Sequence, residues 1–273
     1  MNTRKTSIEN LTFVGQLTDE LRDMLENSTY LKYVGYSRNY GFSRSYQGVN
    51  GGFFESGKEK CRIEFNPKTA DCEEIKKFLS LLHNPHLTRL DVGIDYEGIN
   101  LSNYGWDSIE SRKKYMWLDS NGALETLYIG SSTSDLRFTV FNKISEQTDR
   151  GIEITPEHNP IHWKVKAQRR FRSNLHNQSM SDYLPYNLMD IYSYSKRLDL
   201  SSIENTKERL MVRGLLEDPN EFSHLNSKTR TKYRKIIKQL QKDANELHEL
   251  EPHEIYIKER DYLKKDLHGF GLY

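Results

Sequence analysis

The sequence predicts an α+β fold: a largely antiparallel sheet with flanking helices over residues 1–200, then a C-terminal helical region over 201–273. Three observations carry that expectation. Short segments alternating apolar and polar residues, bounded by Gly, Asn and Pro, recur through the first 170 residues with the period of two expected of half-buried strands. Two segments of helical spacing interrupt them. Beyond residues 197–202 the alternation gives way to i, i+3, i+4 spacing, which sets a domain boundary there.

A chain of 273 residues is long enough to bury a sizeable core. With 29% charged and 36% hydrophobic residues, and 17 Tyr and 11 Phe, it is too aromatic for a disordered chain and should present a charged, tyrosine-rich surface. Forty Lys and Arg oppose 39 Asp and Glu, a net charge of +1, so any basic surface is local. Cys61 and Cys72 form neither a CxxC pair nor a disulfide framework and read as free thiols of a reducing cytosol. No signal-like apolar segment and no run of 18 apolar residues is present, so a cytoplasmic protein that contacts no membrane is expected.

Taken in order, residues 8–17 alternate loosely. Thr18 then caps a short helix with Leu17, Leu21, Met24 and Leu25 on one side. From Tyr30 to Phe54, Tyr33, Tyr36, Tyr40, Phe42, Tyr46 and Phe53 are interleaved with Arg38, Arg44 and glycines. This is either the outer face of a twisted sheet or a surface that stacks unpaired bases. Cys61–Pro67 reads as a strand with Arg62 and Glu64 opposite Ile63 and Phe65, and Asp71 caps a helix bearing Ile75, Phe78, Leu79 and Leu82.

The stretch around which the rest is organised follows Asn84-Pro85. Thr88–Tyr96 sets Leu90, Val92 and Ile94 against Arg89, Asp91, Gly93 and Asp95. Two acids on a good strand need a reason, either a metal or a solvated rim. At about 3.3 Å per residue they lie roughly 13 Å apart, so a flat strand lets at most one of them grip a given ion. Residues 103–119 read as partly helical, Asn121-Gly122 as a hairpin turn, and 124–130 and 136–143 as strands, with a polar segment over 144–160.

The segment IHWKVKAQRRF puts Lys164, Lys166 and Gln168 on one face and Trp163, Val165 and Ala167 on the other. Lys164, Lys166, Arg169, Arg170 and Arg172 have no acid among them. That is either a phosphate-contacting edge or a solvated edge that discourages aggregation. Tyr183, Tyr186, Tyr192 and Tyr194 crowd the stretch from Asp182 to Tyr194. A helix over 205–217 stops before Asp218-Pro219. The next places Tyr233, Ile236, Ile237 and Leu240 on one side and Arg230, Arg234 and Lys238 on the other, accompanied by Lys228, Lys232 and Lys235. That basic face suits the DNA backbone or major groove. The tail from Glu246 reads as one or two helices, with an oligomer contact as its expected role.

No HEXXH, CxxC, P-loop or GxGxxG motif and no His-hydrophobe-His triplet is present. His83 and His86 flank Asn84-Pro85, and His158 and His162 flank Pro160, so these read as loop histidines rather than ligands.

Four segments, RIEFNP at 62–67, TRLDVGID at 88–95, LYIGSSTSDLRFTVFNK at 127–143 and LNSKTRTKYRKIIK at 225–238, occur in an order that resembles the Rep_trans family, the single-tyrosine replication initiators of rolling-circle plasmids of Gram-positive bacteria. The resemblance implies a relaxase-like nicking domain with a topoisomerase I-like reaction. In it a tyrosine attacks one phosphodiester at an origin hairpin, leaving a 5′-phosphotyrosine and a free 3′-OH, with Mg²⁺ or Mn²⁺ polarising the phosphate. It also implies a homodimer and a host replicative helicase as partner. Tyr183, in MSDYL, matches the nucleophile, and Asp91, Asp95 and Glu64 are the candidate metal ligands. Lys164, Lys166, Arg169, Arg170 and the 228–238 helix are the candidate DNA contacts.

The chain departs from the family where the latter carries glutamates, having Lys166 and Gln168 instead, and it has extra residues around Phe171–Ser179. A lysine repels a metal ion while still attracting DNA. Two expectations therefore stand side by side: a strand-nicking initiator, and a catalytically impaired relative that binds origin DNA as a regulator. An RNA-binding module built on the aromatic N-terminal sheet is a third.

Overall fold

The alternating segments become strands. In chain order these are β1 (Thr3–Gln16), β2 (Leu31–Tyr36), β3 (Arg44–Gly48), β4 (Phe53–Ser56), β5 (Lys60–Phe65), β6 (His83–Glu97), β7 (Tyr104–Ser108), β8 (Lys114–Leu118), β9 (Leu124–Ile129), β10 (Leu136–Asn142), β11 (His162–Arg170) and β12 (Ile191–Ser195). The helices are α1 (Asp19–Asn27), α2 (Cys72–Ser80), α3 (Lys143–Asp149), α4 (Met180–Tyr183), α5 (Thr206–Glu217), α6 (Ser227–Asn245) and α7 (Pro252–His268). This computed structural model describes residues 3–152, 161–171, 180–195, 200–245 and 251–270.

Ten strands form one sheet in the order β2-β3-β4-β5-β1-β6-β11-β10-β9-β8, with every pair antiparallel, and β7 and β12 form a separate pair. The α+β architecture expected from the sequence is the one observed. The acidic stretch lies in β6, between β1 and β11 at the centre of the sheet. Its Leu90, Val92 and Ile94 are fully buried in one core with Leu21 and Leu25 of α1, Ile75 and Phe78 of α2, and Tyr256, Leu263 and Leu267 of α7. Thr18 and Asp71 cap their helices as predicted, the Thr18 hydroxyl accepting from the Leu21 N–H and the Asp71 carboxylate from the Glu74 N–H.

Several expectations are corrected. Residues 103–119 hold β7 and β8 rather than helix. β7 pairs with β12, more than 80 residues later, and β8 is a wholly exposed edge strand, so neither carries a one-sided apolar pattern. The polar 144–160 segment opens with α3, whose first N–H groups bond to Asn142 Oδ1, and residues 153–160 lie outside the described set. His83 and His86 sit in β6 and His162 opens β11, so all three are strand residues.

Within the tail, one side of α7 is committed to the rest of the chain. α7 returns to the main core, where Tyr256 OH donates to the Pro185 carbonyl (2.9 Å) and Arg260 Nε to the Leu184 carbonyl (2.6 Å). α5 and α6 have a small core of their own, built from Ile203, Val212, Leu215, Tyr233, Ile237 and Leu240. The helical region over 201–273 is therefore shared between two cores, and residues 196–199, at its expected boundary, lie outside the described set. Among the described residues no helix is long and apolar enough to cross a membrane.

Candidate nucleic-acid interface

Strand alternation sends Asp91 and Asp95 to the sheet face opposite α1, α2 and α7, and the neighbouring strands fill that face with charge. A first file of ion pairs runs across β4, β5, β6 and β11. Arg62 Nη1 bonds Glu55 (2.5 Å) and its Nη2 bonds Glu64, while Arg89 Nη1 reaches Glu64 at 3.3 Å. Arg89 then forks onto Asp91, Nε to Oδ1 at 2.8 Å and Nη2 to Oδ2 at 2.6 Å, and Lys166 Nζ stands 3.5 Å from Oδ2. Asn10 Nδ2 donates to Glu64 (2.8 Å), and Gln168, with its amide oxygen toward Arg89, accepts from Nη2 at 2.8 Å. Asp91 is 1% exposed, a buried carboxylate with both oxygens held by a guanidinium.

A second file crosses β1, β6 and β11. The register shift between Ile8 and Asn10 turns Glu9 onto this face, above Gly93, where a Cβ would lie 2.7 Å from Glu9 Cγ, so only glycine admits it. Glu9 accepts from Lys164 Nζ and Lys68 Nζ, each at 2.8 Å. Lys164 also stands 3.2 Å from Asp95, whose Oδ1 lies 2.8 Å from His162 Nε2. Burial alone would raise the Asp95 pKa, but the His162 hydrogen bond and the charges of Lys164 and Lys68 outweigh it and hold the carboxyl at about 2. The same balance lowers Glu9 and raises Lys164.

Asp91, Asp95 and Glu64 are therefore each neutralised by a protein cation. Among the described residues no three His, Cys, Asp or Glu side chains converge as a metal would require. The carboxylates do not fit a Mg²⁺ or Mn²⁺ site in this arrangement, because a divalent ion would have to displace Arg89 or Lys164. Lys164, at 4% exposure, is spent on Glu9 and Asp95 rather than held out for phosphate.

Tyr183 does not join this face. Arg169 pairs with Leu90 in register and so points to the helix side. There Phe171 meets the Tyr183 ring edge-on with centroids 5.3 Å apart, within the apolar core. Tyr183 is 6% exposed, and burial together with the Asp182 carboxylate pushes its phenol above the ordinary value. Tyr183 and Asp91 thus lie on opposite sides of the sheet. Arg169 is also on the helix side, stacked 5.4 Å from the Phe171 ring, with burial lowering its pKa. Of the predicted basic edge, Lys164, Lys166 and Arg170 lie on the polar face, with Lys164 taken by Glu9 and Asp95, and Arg172 lies outside the described residues.

On α6, Arg230 Nη2 donates to the Ser223 and Leu225 carbonyls and Lys232 pairs with Glu208. Lys228, Arg234, Lys235 and Lys238 are exposed and form no salt bridge among the described residues. Sequence reasoning missed Glu9, Lys68 and His162. The signals available were the break in alternation at Glu9-Asn10 and the shared parity of His162, Lys164 and Lys166.

Comparison with known proteins finds three replication initiation proteins of Staphylococcus aureus that are 31, 29 and 30% identical to this chain over 181 residues. Each match covers 64% of this chain and 54% of the relative, so the chain spans about half the length of the curated relatives it matches. Among solved structures, a rolling circle replication initiator protein from Geobacillus stearothermophilus aligns with 78% of this chain and 97% of its own, at 13% identity and a TM-score of 0.46. No family model matches the chain.

Proposed function

We propose that this chain is a replication initiator of the rolling-circle type that recognises origin DNA. The carrying observation is the unopposed basic face of α6, four exposed cations without a salt bridge among the described residues, in a chain similar over 64% of its length to replication initiation proteins. A helix with one-sided positive charge gains affinity by releasing counterions from phosphates, and its orientation is set by those contacts. An origin hairpin as the DNA, a homodimer and recruitment of a host replicative helicase complete the reading and rest on the family resemblance.

Whether the chain also nicks through a Tyr183 phosphotyrosine is the finer question. The lysine between Glu9 and Asp95, and the buried Tyr183 on the far side of the sheet, favour binding without metal-dependent nicking in this arrangement. Incubating the full chain with end-labelled origin hairpin and Mn²⁺, then denaturing it, separates the two readings. Retarded hairpin with no covalent adduct is expected. An adduct that disappears in Tyr183→Phe would establish the nickase instead, and absence of any hairpin or duplex binding would sink the initiator reading.

A further inference from the structure

On the polar face beyond Lys166 the sheet opens into a cavity of about 570 Å³, within the range of small-molecule and nucleotide sites. One corner is aromatic: Trp117 of edge strand β8 meets Tyr128 of β9 edge-on at 5.2 Å, and the Arg137 guanidinium lies over the Tyr128 ring at 3.9 Å. Arg137 forms no salt bridge among the described residues, and its Nε is buried with no hydrogen-bond partner. Apart from Arg150, which pairs with Glu146, the lining cations and acids are segregated. Arg137, Lys166 and Arg170 belong to β10 and β11, whereas Glu125 follows the first residue of β9 and Glu146 and Asp149 belong to α3. Glu146 is already taken by Lys143 (2.6 Å) and Arg150 (2.8 Å).

We infer that this cavity is a subsite for one unpaired nucleotide of a single-stranded DNA, with the base against Trp117 and Tyr128 and the phosphate at Arg137, Lys166 and Arg170. The inference rests on the DNA-binding reading above and says which form of DNA the sheet addresses. A π-face is what the aromatic corner offers, and a base presents both of its faces only when it is out of the duplex stack. The acid end repels phosphate, so the strand enters with its backbone at the end of the cavity that carries Arg137, Lys166 and Arg170.

Trp117 also provides the readout, because it is 55% exposed while Trp106 and Trp163 are 2% and 3% exposed. The full chain is titrated with oligo(dT), a duplex of equal length, oligo(U) and dTMP, following tryptophan emission and, with labelled strands, anisotropy. Saturable quenching by oligo(dT) at lower concentration than by the other three is expected. In Trp117→Ala and Arg137→Gln the ratio of single-strand to duplex affinity should fall about tenfold, the size of one lost stack or phosphate contact. Equal quenching by duplex, tighter binding of oligo(U), saturation by dTMP at the same concentration, or an unchanged ratio in both variants would each overturn the assignment. Unchanged duplex binding on removing the α6 cations, with oligo(dT) quenching intact, would instead count against the α6 reading alone.

Discussion

Lys164 and Asp95 face each other across β11 and β6, Nζ 3.2 Å from Oδ1, with the Glu9 carboxylate 2.8 Å away on the other side of the ammonium. A protein cation thus sits between two carboxylates that would otherwise form an attractive site for a divalent ion. Replacing it with an isosteric apolar side chain, Lys164→Met, should cost about 3–5 kcal/mol, since it leaves buried charge uncompensated. Urea unfolding measures that loss. The vacated carboxylate pair should then bind metal, so Mn²⁺ should raise the unfolding midpoint of Lys164→Met and leave the parent midpoint unmoved.

Acid stability should depend on Asp95. Its folded pKa of about 2 lies below the ordinary 3.8, so its contribution is fully present above about pH 4 and is lost as pH falls through about 2. The shift corresponds to on the order of 2 kcal/mol. Asp95→Asn should lower stability at neutral pH and flatten the decline between pH 4 and 2 in unfolding curves. An undiminished acid decline in the variant would mean that other carboxylates carry it.

Much of this was legible locally and some of it could not be. The parity of Thr88–Tyr96 placed Asp91 and Asp95 on one face because side-chain alternation is a property of the strand alone. What neutralises them was hidden, since Glu9 and Lys164 are 155 residues apart and meet only through the β1–β6–β11 register and a bulge. The same reason explains β7, which looks irregular until β12 pairs with it. Tyr183 stands out by its local MSDYL pattern, and no pattern reports that Phe171 and the α7 side of the core cover it.

Tyr183 should behave as a packing residue. Its ring meets Phe171 within the core, and no protein hydrogen bond to its hydroxyl is formed among the described residues. Tyr183→Phe should shift Tm by little, whereas Tyr183→Ala should cost about 3–5 kcal/mol, as large-to-small core changes do. Calorimetry on the two variants checks this. A large loss in Tyr183→Phe would reveal a role for the hydroxyl that the ring contact does not contain.

The cations of α6 divide into two groups whose effects on DNA binding should differ. Arg230 holds the preceding turn through two carbonyls and Lys232 is paired with Glu208, so Lys232→Ala should change duplex affinity little. Arg234, Lys235 and Lys238 are exposed without a salt bridge among the described residues, and each phosphate they neutralise contributes about 0.9 to the slope of log K against log salt. Removing all three should therefore reduce the slope by up to about 3 and weaken binding to any duplex sequence. Salt titrations of duplex affinity in the parent, Lys232→Ala and the triple variant resolve the two groups. Equal slopes in all three would place the duplex elsewhere on the molecule, because a helix face in contact with phosphates cannot lose three charges without releasing fewer counterions.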